Sequence, residues 1–217
     1  MIGEAGRADA GAFLARLLRL DPNAVVRLRP AGRDRAEIWA MLPFGVLVTR
    51  ILATAIDSDA TVAAAALIDA LADPAAAVRR RDAAWRWPLP PSRGRVVETV
   101  PAEEVARVAA AASQTLRTAS EQGVGGRMVG ERVVRDALLD HVPIVVTGPT
   151  GERADVPQRL VQAVVRMGFL GPAAAGPSGS VTFGDNLVTV RLAAAWICLD
   201  ASYGSAWYRP TSPLQLS

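Results

Sequence analysis

A seven-residue segment near the middle of the chain most constrains how the polypeptide can fold. Residues 85–91 read Trp-Arg-Trp-Pro-Leu-Pro-Pro. Proline lacks the backbone N–H that a helix interior or a central strand requires, so these prolines exclude both structures here. The segment is predicted to be extended and in part polyproline-like. It divides the 217-residue chain into an N-terminal half (1–84) and a C-terminal half (95–217), joined by a Trp/Pro-rich linker at 85–94.

The two tryptophans of this linker limit where it can lie. Trp85 and Trp87 would expose a large apolar area if the linker were surrounded by water. We expect both indoles to lie either against a folded part of the chain or against a partner protein. In the second case Trp85 and Trp87 form a partner-binding site.

Hydrophobic periodicity predicts a small α+β unit in the N-terminal half. Phe13, Leu14 and Leu17 repeat at helical spacing, which indicates one apolar stripe. Downstream runs have the composition of strands and are separated by Pro/Gly/Asp turn clusters. The predicted elements are a helix over 10–20, an antiparallel meander of strands over 24–29, 36–42 and 44–52, and a helix over 61–71.

The C-terminal half has the element order of a winged helix, which is a helix-turn-helix with an attached β-hairpin. The fold class is therefore predicted to be α+β, with an N-terminal helix and meander and winged-helix-like C-terminal helices with a β-hairpin. The same order also occurs in α+β proteins that do not bind DNA. The predicted elements are a strand over 95–100, helices over 101–119 and 127–140 with a Gly-rich connector at 123–126, a strand over 143–146, a helix over 156–168 capped by Asp155, and a hairpin of strands 181–183 and 188–190 around Gly184-Asp185-Asn186.

Two parts of the chain resemble each other. Residues 26–28 and 190–192 both read Val-Arg-Leu, and residues 36–42 and 193–199 share alanine, tryptophan and leucine at matched positions. Each series follows an amphipathic helix. An internal duplication would explain this similarity, and chance matches between alanine-rich segments are the alternative.

Composition excludes several kinds of chemistry. All 24 basic side chains are arginine, so Schiff-base catalysis by lysine and a lysine-bearing phosphate loop are excluded. A single cysteine allows neither an internal disulfide nor a cysteine-based zinc site. The N-terminus lacks the pattern of a signal peptide, and no apolar run reaches membrane-spanning length. These features predict a cytoplasmic protein that does not contact a membrane and needs no cofactor.

The predicted helix at 156–168 carries the candidate nucleic-acid site. Arg159, Gln162 and Arg166 fall on the face opposite its apolar stripe, and Arg153 precedes them. Arginine and glutamine suit the edges of guanine and adenine in a major groove. The net charge of +3 permits contact with DNA but does not require it. A solvated helix face is the alternative interpretation of the same residues.

Catalytic residues are not evident in the sequence. Cys198 lies in an apolar run, where cysteine behaves as a small buried hydrophobe. The lone His141 follows a helix. The negative end of the helix dipole explains a histidine at this position without a catalytic role. Glu103 and Glu104 are adjacent, so a helix points them about 100° apart rather than into one site. A protein without enzymatic activity is predicted.

Two functions remain open from the sequence. The first is a non-enzymatic DNA-binding or regulatory protein that acts as a dimer through Arg153, Arg159, Gln162 and Arg166. The second is a protein-interaction or scaffold module, homo- or hetero-oligomeric, that uses Trp85 and Trp87 or an unpaired strand edge. In the second, the arginines serve as ordinary solubilising charge.

Overall fold

The computed structural model describes residues 4–73, 75–91, 94–122, 131–175 and 181–210. Within them, the dominant feature is an eight-stranded antiparallel sheet in the order β4-β1-β2-β3-β12-β11-β10-β5. Its strands are Val25–Pro30 (β1), Ala36–Met41 (β2), Leu47–Leu52 (β3), Ala60–Ala63 (β4), Arg95–Pro101 (β5), Leu187–Ala193 (β10), Trp196–Ala201 (β11) and Gly204–Tyr208 (β12). Two small hairpins pair Ile144–Thr147 (β6) with Arg153–Val156 (β7), and Ala174–Ala175 (β8) with Val181–Thr182 (β9).

The described α-helices are Glu4–Leu20 (α1), Ala64–Ala72 (α2), Ala102–Gln122 (α3), Glu131–Asp140 (α4) and Gln158–Arg166 (α5). No helix among the described residues combines the length and apolar character needed to cross a membrane. The predicted connector at 123–126, the predicted helix start at 127 and linker residues 92–93 lie outside the described residues.

Within the N-terminal meander, β1 places its apolar and its charged residues on opposite faces. In β1, Val26 and Leu28 pack into the core while Arg27 and Arg29 point to the other face. Register with β2 places Val26 opposite Ala40. A slip by one residue would turn Val26 and Leu28 out of the core, so these two residues hold the register of β1.

The two halves of the chain meet at the centre of the sheet. Strand β3 of the N-terminal half pairs with β12 of the C-terminal half, with Val48 opposite Ala206. The similar sequence runs noted above fall on β1 and β2 and on β10 and β11. A continuous sheet thus crosses the boundary that the Trp/Pro linker marks, and the division into domains stays a prediction.

One hydrophobic core lies between the sheet and the helices. Residues of α1, α2, α3 and α5 pack in it against alternate residues of the strands. Phe13 on α1 and Phe169, just after α5, are fully buried and stack with ring centroids 6.3 Å apart. Because Phe13 and Phe169 come from different halves, this contact joins them beneath the sheet.

The winged-helix interpretation is wrong. Strand β10 pairs with β5 and β11, and β9 pairs with β8, so the predicted hairpin of 181–183 with 188–190 does not form. The helix predicted as the recognition helix, α5, packs between the sheet and α3. The order of elements indicated a winged helix, but order alone does not specify which strands pair.

Two predicted helix starts also differ from the structure. Residues 60–63 form a strand because they pair with β1, and the helix begins only at Ala64. Asp155 lies in β7 opposite Val145 and is not a cap, and α5 begins after Pro157. Residues 60–63 pair with β1, which is distant in sequence, and Asp155 pairs within the β6–β7 hairpin. In both places this backbone pairing overrides the local helix signal.

Candidate functional site

The outer face of the sheet, opposite the helices, carries a cleft of about 950 Å³. Residues 85–91, here called the strap, cross this face, and Trp87 with Pro88–Pro91 forms one wall of the cleft. The opposite wall and floor come from strand and turn side chains and from one residue of α1, Asp9. These residues are Asp9, Arg27, Arg29, Glu37, Trp39, Thr49, Arg50, Ile51, Asp200–Ser205 and Trp207.

Tryptophan dominates this face of the molecule. Trp85, Trp87, Trp196 and Trp207 share an apolar cluster with Leu47 and neighbouring residues. The fifth tryptophan of the chain, Trp39, lines the cleft beside them. The outer face is therefore an aromatic surface rather than the polar face of an ordinary one-sided sheet.

The strap holds its shape through local contacts. The Trp85 indole N–H donates to the Trp87 carbonyl over 2.7 Å, and the two rings meet edge to face at 5.2 Å. The Arg27 guanidinium lies 5.8 Å from the centroid of the Trp85 ring. These contacts place Trp85 and Trp87 against the sheet, with both side chains partly exposed.

Charged groups in the cleft are paired. Arg27 donates two hydrogen bonds to Asp59, over 2.8 and 2.7 Å. Arg50 pairs with Asp9 and lies 5.6 Å from the centre of the Tyr203 ring. The cleft thus combines aromatic walls with nearly balanced charge, which does not favour a strongly charged ligand.

Two donors at the floor of the cleft lack an acceptor within the described residues. The Thr49 hydroxyl and the Trp207 indole N–H are both buried and unpartnered. Burying a donor without an acceptor costs about 1–3 kcal/mol. These two donors therefore have hydrogen-bonding capacity that no described residue uses.

We expect Asp59→Asn to weaken the attachment of β4 and β1 in a pH-dependent manner. The hydrogen bond from Arg27 holds the pKa of Asp59 below its ordinary value of 3.8. A lowered pKa stabilises the fold above the ordinary value, and this contribution is lost as pH falls through the lowered pKa. Asp59 is partly exposed, so the loss at pH 7 should be only about 0.5–1 kcal/mol.

Urea unfolding at several pH values measures this difference. The difference in the free energy of unfolding between the wild type and Asp59→Asn should be largest at pH 7. It should decrease as the pH falls below about 4. Asp34→Asn, at an exposed turn, is the matched control and should change little. A gap that stays constant down to pH 2 would contradict the assignment of the effect to this carboxylate.

The predicted nucleic-acid residues do not form a common exposed face. Gln162 is 8% exposed and donates to the Ala109 carbonyl of α3 over 3.2 Å. Arg159 turns inward to the Phe44 carbonyl and to Asp140. Arg166 is exposed, and Arg153 pairs with Asp155 on β7. The structure brings Arg159, Gln162 and Arg166 around one pocket and leaves Arg153 on a separate hairpin.

The helix layer carries no excess of positive charge. The five α-helices in the described part of the chain contain nine arginines and nine acidic residues. Binding to the backbone of DNA relies on a surplus of cations along the contacted surface. This balance gives no support to the helix layer as a DNA-binding surface.

Sequence reasoning missed most of the cleft. Arg27 and Thr49 alternate with buried neighbours, a signal that could have placed them on the outer face. Trp207 and Tyr203 also line the cleft, and neither was identified from the sequence as a site residue. No sequence signal could show that these residues surround the strap.

The described residues contain no group of three or more His, Cys, Asp or Glu side chains that could hold a metal ion. Cys198 is fully buried on β11, and burial raises the pKa of its thiol well above the ordinary value. A thiol in this state is a poor nucleophile. His141 lies in a different region, between α4 and β6.

Comparison with solved structures gives the class of fold. The chain is similar to a candidate DNA polymerase III β subunit from Eubacterium rectale, with 8% identity and a TM-score of 0.52 over 99% of this chain and 65% of that one. It is similar to the polymerase III β subunit of Pseudomonas aeruginosa, with 9% identity and a TM-score of 0.51 over 95% and 64%. It is also similar to the DNA polymerase sliding clamp of Caulobacter crescentus, with 12% identity and a TM-score of 0.51 over 96% of this chain and 65% of that one.

The fold is thus that of a DNA polymerase sliding clamp, and this chain spans less than two thirds of the length of those clamps. By sequence, residues 89–213 match the family described as domain of unknown function DUF8185, and the chain belongs to that family. Residues 1–87 match a second model, domain of unknown function DUF8010. No curated protein matches the sequence.

Proposed function

We propose that this chain is a protein-interaction module without catalytic activity, and that its outer-face cleft receives an extended segment of a partner protein. The observation that carries this proposal is the cleft itself, about 950 Å³ between the proline-bearing strap and the aromatic side chains of the sheet. The clamp fold of the chain is consistent with a module that holds other macromolecules. The catalytic candidates of the sequence, Cys198 and His141, lie in different regions, which supports the absence of enzymatic chemistry.

The chemistry of the walls indicates the kind of segment that would bind. Aromatic grooves recognise extended, proline-containing segments because such segments lose little conformational entropy on binding. The paired charges of Arg27 and Arg50 favour a segment of low net charge. Backbone carbonyls of the segment could accept from Thr49 and Trp207 once covering side chains shift. An uncharged, proline-containing peptide is therefore the proposed occupant.

The strap forms one wall of the proposed binding cleft. Trp87 lines the cleft, and Trp85 anchors the strap beside Arg27. We propose that residues 85–94 link the units 1–84 and 95–217 and that Trp87 contacts the partner. The clamps of similar fold are named as DNA polymerase subunits, so proteins that act on DNA are the first partners to test.

Peptide selection tests the cleft directly. A phage-displayed library of random twelve-residue peptides is selected on the full chain, and enriched peptides are synthesised and titrated by tryptophan fluorescence. Trp207→Phe removes the indole N–H together with one ring, a loss of volume that the Trp196→Phe control shares, and Thr49→Val removes the hydroxyl with little change in shape. Each should raise the Kd about five- to tenfold, because each deletes one hydrogen bond to the peptide.

Trp196→Phe is the matched control. Trp196 belongs to the same outer cluster but does not line the cleft, so this variant should bind peptides as the wild type does. Trp87→Ala should weaken binding through lost contact with the ring. The proposal fails if no peptide is enriched, or if enriched peptides bind the Thr49→Val, Trp207→Phe double variant as well as the wild type.

Self-association is a separate prediction. Strand β5 lies at one edge of the eight-stranded sheet, and Val96 on this strand is 45% exposed. An exposed strand edge can pair with another chain. The predicted homo-oligomer stays a prediction.

A further inference from the structure

A second pocket lies on the helix side of the molecule, away from the cleft. It has a volume of about 550 Å³ and lies between α4, α5, the end of α1 and the turn from β2 to β3. We call it the arginine pocket. Its lining residues are Leu20, Pro43, Phe44, Gly45, Arg135, Asp136, Leu139, Asp140, Arg159, Gln162 and Arg166.

Three guanidinium groups line this one pocket. Arg159 is held by the Phe44 carbonyl, by Asp140 and by the Tyr208 ring, whose centroid is 4.9 Å away. Among the described residues, Arg135 forms an ion pair only with its neighbour Asp136, over 3.7 Å from Nε. Arg166 donates from Nε to Gln162 over 3.4 Å, which leaves its two terminal nitrogens without an acceptor in the described part of the chain.

The charge of the pocket is incompletely compensated. Asp136 and Asp140 are its acidic residues, against three arginines. The Asp140 side chain is 68% exposed, so water screens its contribution strongly. Like charges that share a pocket repel, and a bound anion would relieve that repulsion.

A buried amide at an adjoining smaller pocket adds a neutral donor. Gln158 is 2% exposed, and its side-chain Nε2 has no acceptor within the described residues. It lines this smaller pocket together with Arg135, Gln162 and Arg166, which also line the arginine pocket. The two pockets therefore adjoin and share these three side chains, and the unpartnered amide of Gln158 lies in the smaller one.

We propose that the arginine pocket binds the phosphate group of a small molecule. The terminal nitrogens of Arg135 and Arg166 and the amide of Gln158 offer more donors than the two oxygens of a carboxylate can use. A phosphate presents more oxygen acceptors and accepts planar, two-point contacts from arginine. This site does not depend on the proposed function of the cleft, because no residue lines both.

Calorimetric titration of the full chain with inorganic phosphate at low ionic strength tests the proposal. Phosphate should bind saturably, and acetate should bind at least about tenfold more weakly because it has fewer acceptor oxygens. Arg135→Gln and Arg166→Gln should each weaken phosphate binding about tenfold or more. Arg107→Gln on α3 is the matched control, since Arg107 lines neither pocket and should leave the affinity unchanged.

Gln158→Met separates binding from folding. Methionine has a similar size and removes the unpartnered amide, so the variant should melt at the same or a higher temperature while its phosphate affinity falls. No saturable phosphate binding, equal binding of acetate, or unchanged affinity in the Arg135→Gln, Arg166→Gln double variant would each overturn the proposal.

Discussion

Replacing Gly204 with alanine is expected to lower the free energy of unfolding by about 3–5 kcal/mol. Gly204 begins β12 with a φ of +150°, which side-chain-bearing residues rarely adopt. A Cβ atom there would lie 2.7 Å from the Thr49 carbonyl oxygen and 2.7 Å from Phe169 Cε1. The oxygen belongs to a paired strand and the ring to the core, so neither can move away cheaply.

Gly32→Ala is the matched control for this prediction. Gly32 has a φ of +130° in an open turn, and an added Cβ would meet nothing within 4 Å. Its free energy of unfolding should fall only by the cost of backbone strain at this φ, about 1–3 kcal/mol. Urea unfolding followed by circular dichroism measures both variants. Equal losses at Gly32 and Gly204 would show that the close approach of β12 to β3 does not matter.

Phe169→Ala is expected to cost about 3–5 kcal/mol. Phe169 is fully buried and stacks on Phe13, so the substitution removes apolar area and leaves a cavity between α1 and the sheet. Because this contact joins the two halves of the chain, both halves should unfold at lower denaturant. Tryptophan fluorescence and circular dichroism should report the same shifted transition.

Phe183→Ala provides the comparison for Phe169. Phe183 is only partly buried, and its truncation should cost about 1 kcal/mol. A cycle with Phe13→Ala and the double variant gives the coupling between the stacked rings, expected at about 0.5–1.5 kcal/mol. A loss at Phe169 no larger than that at Phe183 would contradict the buried position of its ring.

The N-terminal half shows how far local pattern can be used. The run 24–29 was predicted to be a strand, and residues Val25–Pro30 form β1, with Val26 and Leu28 packed in the core. The stripe of Phe13, Leu14 and Leu17 predicts a buried helix face, and all three are fully buried. Such elements can be predicted from periodicity because each has one face toward the core and one face away from it.

The C-terminal half shows where that reasoning ends. The 156–168 segment has a clear apolar stripe, so its opposite face was interpreted as exposed, whereas Gln162 is buried against α3. The run at 188–190 has a turn before it, so a local hairpin was predicted, whereas β10 pairs with β5 and β11. A helix that is buried on two sides and a strand that pairs with residues far along the chain produce no periodic pattern in the local sequence.

The candidate sites differ in the same way. The composition of the strap excluded a regular helix or central strand, and its tryptophans indicated a docked segment. The cleft could not be anticipated, because Thr49 and Trp207 meet only through the pairing of β3 with β12. The arginine pocket likewise joins Arg135 on α4 to Arg166 on α5.

The sequence by itself determined which side chains can face a core and which chemistry is absent, because both depend on residue type and local spacing. The absence of lysine and the prolines of the strap are facts of this kind. The tertiary structure alone decided that one sheet runs through both halves and that its outer face is aromatic. Backbone hydrogen bonds are nearly the same for every residue type, so the choice of strand partners is made by the packing of the whole chain.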